Sequence, residues 1–218
     1  MIVIGIDLSG PANHKDTAMA VFQTKGDDLV LAEYMVNCDD EKILSTIFSY
    51  TAHDIIIGID APLSYQDGGG DRPQDKCLRD FIKGNGLSGS SIMPPTLTKM
   101  VYLTLRGISL TRRIRNIKEA KQIKLVEVHP GAAIGTRIEP DLLSHALNYK
   151  KNIQSRYVIF DWFHTVGLKN LPDILTETSH QIDACAAALA AWHWGHPAKR
   201  PVWRWEHVTP AHPFEVCC

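Results

Sequence analysis

The phrase Val3-Ile4-Gly5-Ile6-Asp7 recurs almost unchanged as Ile56-Ile57-Gly58-Ile59-Asp60. Each copy is apolar up to its terminal carboxylate, the pattern of a strand buried on both faces, and each carries a glycine two residues before the acid. Two adjacent parallel strands of this kind would end with their carboxylates side by side, in the crevice beyond the strand ends where open α/β sheets bind ligands. Such a pair repels itself unless a cation neutralises it.

The rest of the chain fills in around these two strands. Ala18 to Thr24 and Leu29 to Val36 read as strands joined through Lys25-Gly26-Asp27-Asp28, so the chain opens as a three-stranded meander. Asp39 and Asp40 offer N-cap chemistry for a helix over Glu41 to Tyr50. Downstream, the pattern predicts a helix from about Thr96 to Lys118 and a strand over Ile123 to Val128, stopped by His129-Pro130. One or two helices follow between 140 and 175, then an alanine-rich helix over Ser179 to Trp192 and a short edge strand over Pro201 to Val208.

No linker divides the 218 residues. The expected architecture is therefore one α/β domain, 1–218, with a mixed five-stranded sheet, an antiparallel meander followed by parallel strands, flanked by helices. Residues of about 62–95, rich in Gly and Pro around a short helix near Asp75 to Ile82, and of about 130–175 read as insertions.

Composition narrows the function classes. With 44% hydrophobic and 22% charged residues the chain is of globular type, and no apolar run approaches membrane-spanning length. The net charge of -1 gives no global pull toward nucleic acid or anionic membrane, so any polyanion site must be local. Five scattered cysteines without metal-ligand spacing suit a reducing compartment, and a cytoplasmic protein without membrane association is expected. Cys217-Cys218 reads as a frayed, reduced end.

The alanine-rich helix adds a third acid. His180 and Asp183 are three apart and share a helical face, and the surrounding alanines let that face approach the sheet closely. A carboxylate buried there without compensation would cost several kcal/mol, so Asp183 must meet a metal or a base. Oxygen-only ligands suit Mg²⁺ or Mn²⁺ rather than zinc. Glu127 ends another strand and stands open between this cluster and a pairing with Arg137 or His129.

The motifs GIDLSG (Gly5 to Gly10), GIDAPLS (Gly58 to Ser64), EVHP (Glu127 to Pro130) and HQIDACAAALAA (His180 to Ala191) resemble an uncharacterised family of predicted nucleases, of DUF429 type, with a ribonuclease H-like fold. The order of strands, acids and helices also resembles the Holliday-junction resolvases. The resemblance implies catalytic Asp7, Asp60, Asp183, His180 and Glu127, with the three aspartates holding two divalent ions for phosphodiester hydrolysis. It also implies a nucleic-acid partner and a homodimer.

Substrate contacts are expected from basic residues. Lys99, Arg106, Arg112, Arg113, Arg115, Lys118, Lys121 and Lys124 face a single acid, Glu119, within that stretch, forming either a local phosphate-binding patch or a solvated helix face. Arg72 and Arg79 lie in the first insertion, where they could close over a phosphate backbone. The Trp-rich end, Trp192 to Trp205, reads as packing. Two other functions compete: phosphoryl transfer by an ATP-binding relative of the same fold, and nucleic-acid binding without catalysis.

Overall fold

A computed structural model describes residues 1–118 and 122–218, so Glu119 and Lys121 of the basic stretch lie outside the described residues. The chain begins with β1 (Ile2–Asp7), β2 (Ala18–Lys25) and β3 (Asp28–Val36), followed by α1 (Asp40–Ser49) and β4 (Asp54–Asp60). Next come α2 (Pro73–Gly84), α3 (Thr98–Arg115) and β5 (Gln122–Val128). Then follow α4 (Pro130–Gly135), α5 (Leu143–Asn148), α6 (Ile153–Thr165), β6 (Leu168–Lys169), α7 (Ser179–Gly195), β7 (Arg204–Trp205) and β8 (Val216–Cys217). Among the described residues no helix is long and apolar enough to cross a membrane.

Among the described residues the sheet has eight strands, not five, in the order β6-β3-β2-β1-β4-β5-β8-β7. The five long strands are those read from the sequence. The other three are two residues each; β7 lies within the edge strand expected over Pro201 to Val208, while β6 and β8 are too short to carry an alternation of their own. β1, β2 and β3 form the antiparallel meander, and β1, β4 and β5 run parallel. The Cys217-Cys218 end is not frayed: both cysteines are buried. The His129 N–H donates to the Cys217 carbonyl at 3.3 Å, and β8 is held between β5 and β7.

Strand alternation divides the core in two. Ile2, Ile4, Ile6, Ile55, Ile57 and Ile59 pack with Ile43 and Ile47 of α1 and Leu110 and Ile114 of α3. Val3, Ile56, Val126 and Val128 turn to the other face, where α7 lies. Asp39 caps α1 by accepting the Lys42 N–H at 2.8 Å. Arg106 of α3 is buried rather than part of a basic surface. It donates to Asp40 at 2.8 Å, to the Ser9 and Cys38 carbonyls at 2.9 Å each and to Thr17 Oγ1 at 2.8 Å, locking α3 to the loop after β1.

The repeated glycine has a packing cause. Gly5 and Gly58 lie opposite one another in register, and α7 crosses directly over them. A Cβ on Gly5 would sit 1.9 Å from the Ala184 carbonyl oxygen and 2.4 Å from the Ala188 nitrogen, and one on Gly58 would sit 2.6 Å from the Ala187 oxygen. Backbone cannot yield there as a flexible side chain can. Gly5→Ala is therefore expected to cost about 3 kcal/mol or more through overpacking, read as a lower urea midpoint. A loss below about 1 kcal/mol would mean that α7 shifts freely on the sheet.

Candidate functional site

In-register pairing of β1 with β4 puts Asp7 directly beside Asp60 at the carboxyl ends of both strands. α7 begins over the same end. Its start is set by a capping box between Thr178 and Gln181, which turns Asp183 inward one turn later. One oxygen from each of Asp7, Asp60 and Asp183 lies within 4.8 Å of the other two. Asp183 is 1% exposed and Asp7 7%, while Asp60 is partly buried, so two of the three carboxylates are withdrawn from water and the third opens toward it.

Three neighbours offset this charge. His180 Nδ1 lies 2.6 Å from Asp7 Oδ2 while its ring stays 40% exposed. The Tyr149 hydroxyl donates to Asp183 Oδ1 at 2.5 Å, and Lys150 Nζ stands 3.0 Å from Asp183 Oδ2. Tyr149 and Lys150 follow the end of α5 in the second insertion, and sequence reasoning missed both. Their local pattern, a helix end with an aromatic and two lysines, carries no sign of the packing that delivers them to Asp183.

Burial pushes Asp7 from its usual 3.8 up to about 6, against the pull of its hydrogen bond to His180. Asp60 rises well above the usual range, first through burial and then through the charge of Asp7. The Asp7 hydrogen bond raises the His180 imidazole, and the charge of Asp183 keeps Lys150 an ammonium. Burial, then Asp183, holds the Tyr149 hydroxyl well above its usual range, so it remains a donor. Three close carboxylates, all oxygen donors and short of positive charge, fit a hard divalent cation of the Mg²⁺ or Mn²⁺ type.

The direction of the Asp60 shift has a consequence for stability. A carboxyl whose folded pKa is raised contributes stability that is fully present below the unfolded value and is lost as pH rises through the folded one. In metal-free protein the melting temperature of Asp60→Asn is accordingly expected to gain on wild type as pH rises above the usual 3.8. Thermal melts of the two proteins from pH 4 to 8 check this; a gap independent of pH would mean that Asp60 is not strained by its neighbours.

The remaining expected site residues lie outside the three-aspartate cluster, although Glu127 and Arg72 border the same cavity as Asp7 and Asp60. Glu127 is not a member of the cluster, nor does it pair with Arg137 or His129. It accepts the Leu63 N–H at 2.8 Å and pairs with Arg72 at 2.5 Å. Arg72 is buried between Glu127 and Asp75, so its guanidinium is spent on the protein and not free for substrate. Arg79 pairs with Asp71 at 2.6 Å. Arg112, Arg113 and Arg115 are exposed on α3, across the sheet from α7. Arg113 lies 3.4 Å from Asp40, and Arg115 sits 4.2 Å over the Phe214 ring. The fold does not bring these three to the carboxylates.

Asp7 and Asp60 also border a cavity of about 490 Å³ that extends under α2, the start of α3 and the end of α5. Residues 5–202 match the family model described as "Protein of unknown function (DUF429)". No curated protein and no solved structure matches the chain.

Proposed function

The chain belongs to the DUF429 family, and from that premise we propose that it is a metal-dependent nuclease of ribonuclease H-like architecture, hydrolysing phosphodiester bonds of DNA or RNA. The observation that carries the reading is the convergence of the Asp7, Asp60 and Asp183 oxygens within 4.8 Å at the ends of two parallel strands and a helix. The order β3-β2-β1-β4-β5, with an antiparallel first half and a parallel second half, supports the architectural part.

Asp7, Asp60 and Asp183 would hold the cations, two in this reading. Bound Mg²⁺ or Mn²⁺ supplies activation of water and stabilisation of charge on the departing oxygen. The protein's own residues do the rest. Tyr149 orients Asp183 by donating to Oδ1, leaving Oδ2 toward Lys150. His180 is anchored at Nδ1 on Asp7 and half-open to solvent, so it is the group placed to carry a proton to or from the reacting oxygens. Glu127 acts at one remove, by holding Arg72 and the Leu63 backbone where β4 leaves the sheet.

The test is cleavage of a labelled panel comprising single strands, duplex, RNA/DNA hybrid and a four-way junction, with Mg²⁺ or Mn²⁺. Cutting of at least one substrate, abolished by a chelator, is expected. A protein that melts higher with Mn²⁺ yet cuts nothing would be a binding protein that keeps the carboxylates for a structural ion.

A further inference from the structure

The cavity beside Asp7 and Asp60 is apolar over most of its wall, with Ile82, Ile92, Met93 and Met100 on it, while Lys150 and Lys151 are among its polar groups and the paired Arg72, Asp75 and Glu127 close one part of it. At about 490 Å³ it is the size of a small-ligand pocket, which commonly runs roughly 300 to 1,000 Å³. A continuous duplex is recognised by a wide basic surface along its phosphates. Here the exposed arginines of α3 lie across the sheet from the carboxylates, and Arg72 and Arg79 are paired with acids.

Building on the nuclease reading, we propose that this cavity seats one unstacked nucleoside unit, its phosphoester lying at Asp7 and Asp60. The apolar wall takes the flat face of the base, and the Lys150 ammonium stands on the phosphate side, next to Asp183. Unstacking a base is costly in a duplex and least so in a single strand, so the site selects substrates that present a free nucleoside unit. A free nucleotide ester and an unpaired strand share that chemistry.

Met93 belongs to neither core cluster, so a larger side chain there narrows the cavity without repacking the core. The experiment compares the p-nitrophenyl ester of thymidine 5′-phosphate, a single-stranded oligonucleotide and a covalently closed duplex circle, each with Mn²⁺, for wild type and Met93→Trp. Hydrolysis of the ester or the single strand, with the circle at least about tenfold slower, is expected. Cutting of the ester points to free nucleotides as the source, and cutting of the strand alone to polymer. Met93→Trp should raise KM for the preferred substrate by about fivefold or more while leaving the Mn²⁺-induced rise in Tm unchanged.

A circle cut as fast as the single strand, or a KM indifferent to Met93→Trp, overturns the proposal and leaves the nuclease reading standing. If nothing is cut, the nuclease reading fails separately and adenosine 5′-monophosphate decides the cavity. Stabilisation of wild type by this nucleotide with Mn²⁺, lost in Met93→Trp, sustains the proposal, and its absence in wild type overturns it.

Discussion

Asp7→Asn is expected to lower metal-dependent turnover by about a hundredfold to a thousandfold or more, the scale of removing one preorganised charge-stabilising group, while raising the melting temperature of the metal-free protein. Both effects come from one oxygen. Asn has the shape of Asp, and its carbonyl can still accept the hydrogen bond that His180 Nδ1 makes at 2.6 Å. What disappears is a negative charge penalised first by burial and then by the charge of Asp183, the strain that lifts the Asp7 pKa to about 6. Near neutral pH, relief of that strain stabilises the fold, and each kcal/mol is worth about 2 to 4 °C in a chain of this size.

The measurement is single-turnover cleavage beside thermal melts with and without Mn²⁺. Turnover and Mn²⁺-induced stabilisation should vanish together. A variant that cuts like wild type removes Asp7 from the chemistry. One that loses activity but melts lower than wild type makes the Asp7–His180 contact a structural tie rather than part of a metal centre.

The two matched strand phrases were legible because their meaning is local. A fully apolar run ending in an acid needs a buried strand whose end meets ligand space, and β1 and β4 pair residue for residue as that pattern implies. His180 and Asp183 were legible for the same reason, since three-residue spacing on an alanine-rich helix leaves one face for the acid. Glu127 illustrates the limit. Its residue type and its place near a strand end were right for a metal ligand, yet Arg72, 55 residues earlier, takes both its oxygens.

Tyr149 and Lys150 were illegible because α5 is two short turns whose placement depends on tertiary packing. Arg112, Arg113 and Arg115 of α3 mark a polar face correctly while Arg106 is buried, but amphipathic spacing does not say which side of the sheet a helix will cover. β6 and β8 form where backbone pairing decides, with side-chain pattern contributing little, whereas β7 falls within the edge strand expected over Pro201 to Val208.

The largest effect on stability should come from Arg72, a residue first read as a substrate contact. Its Nη2 lies 2.7 Å from Asp75 and 2.5 Å from Glu127, and its Nη1 donates to Glu127 at 2.8 Å and to Ser64 Oγ at 3.2 Å. Ser64 Oγ in turn lies 3.0 Å from His212 Nδ1. One guanidinium thus joins α2, the segment after β4, the end of β5 and the chain before β8. Arg72→Met leaves two carboxylates buried without their cation, a loss of about 3 to 5 kcal/mol when one partner of a buried pair is removed.

Glu127→Gln in the same protein should restore part of that loss, because the amide tolerates burial that a lone carboxylate does not. The coupling between the two sites is expected to be about 1 to 3 kcal/mol, obtained from urea unfolding of wild type, both single variants and the double. Strictly additive losses would mean that Arg72 and Glu127 do not depend on each other. Glu127→Gln alone also separates its two readings: slowed turnover in step with lowered stability marks a positioning residue. Abolished turnover in a protein that melts like wild type and still responds to Mn²⁺ would return Glu127 to the chemistry.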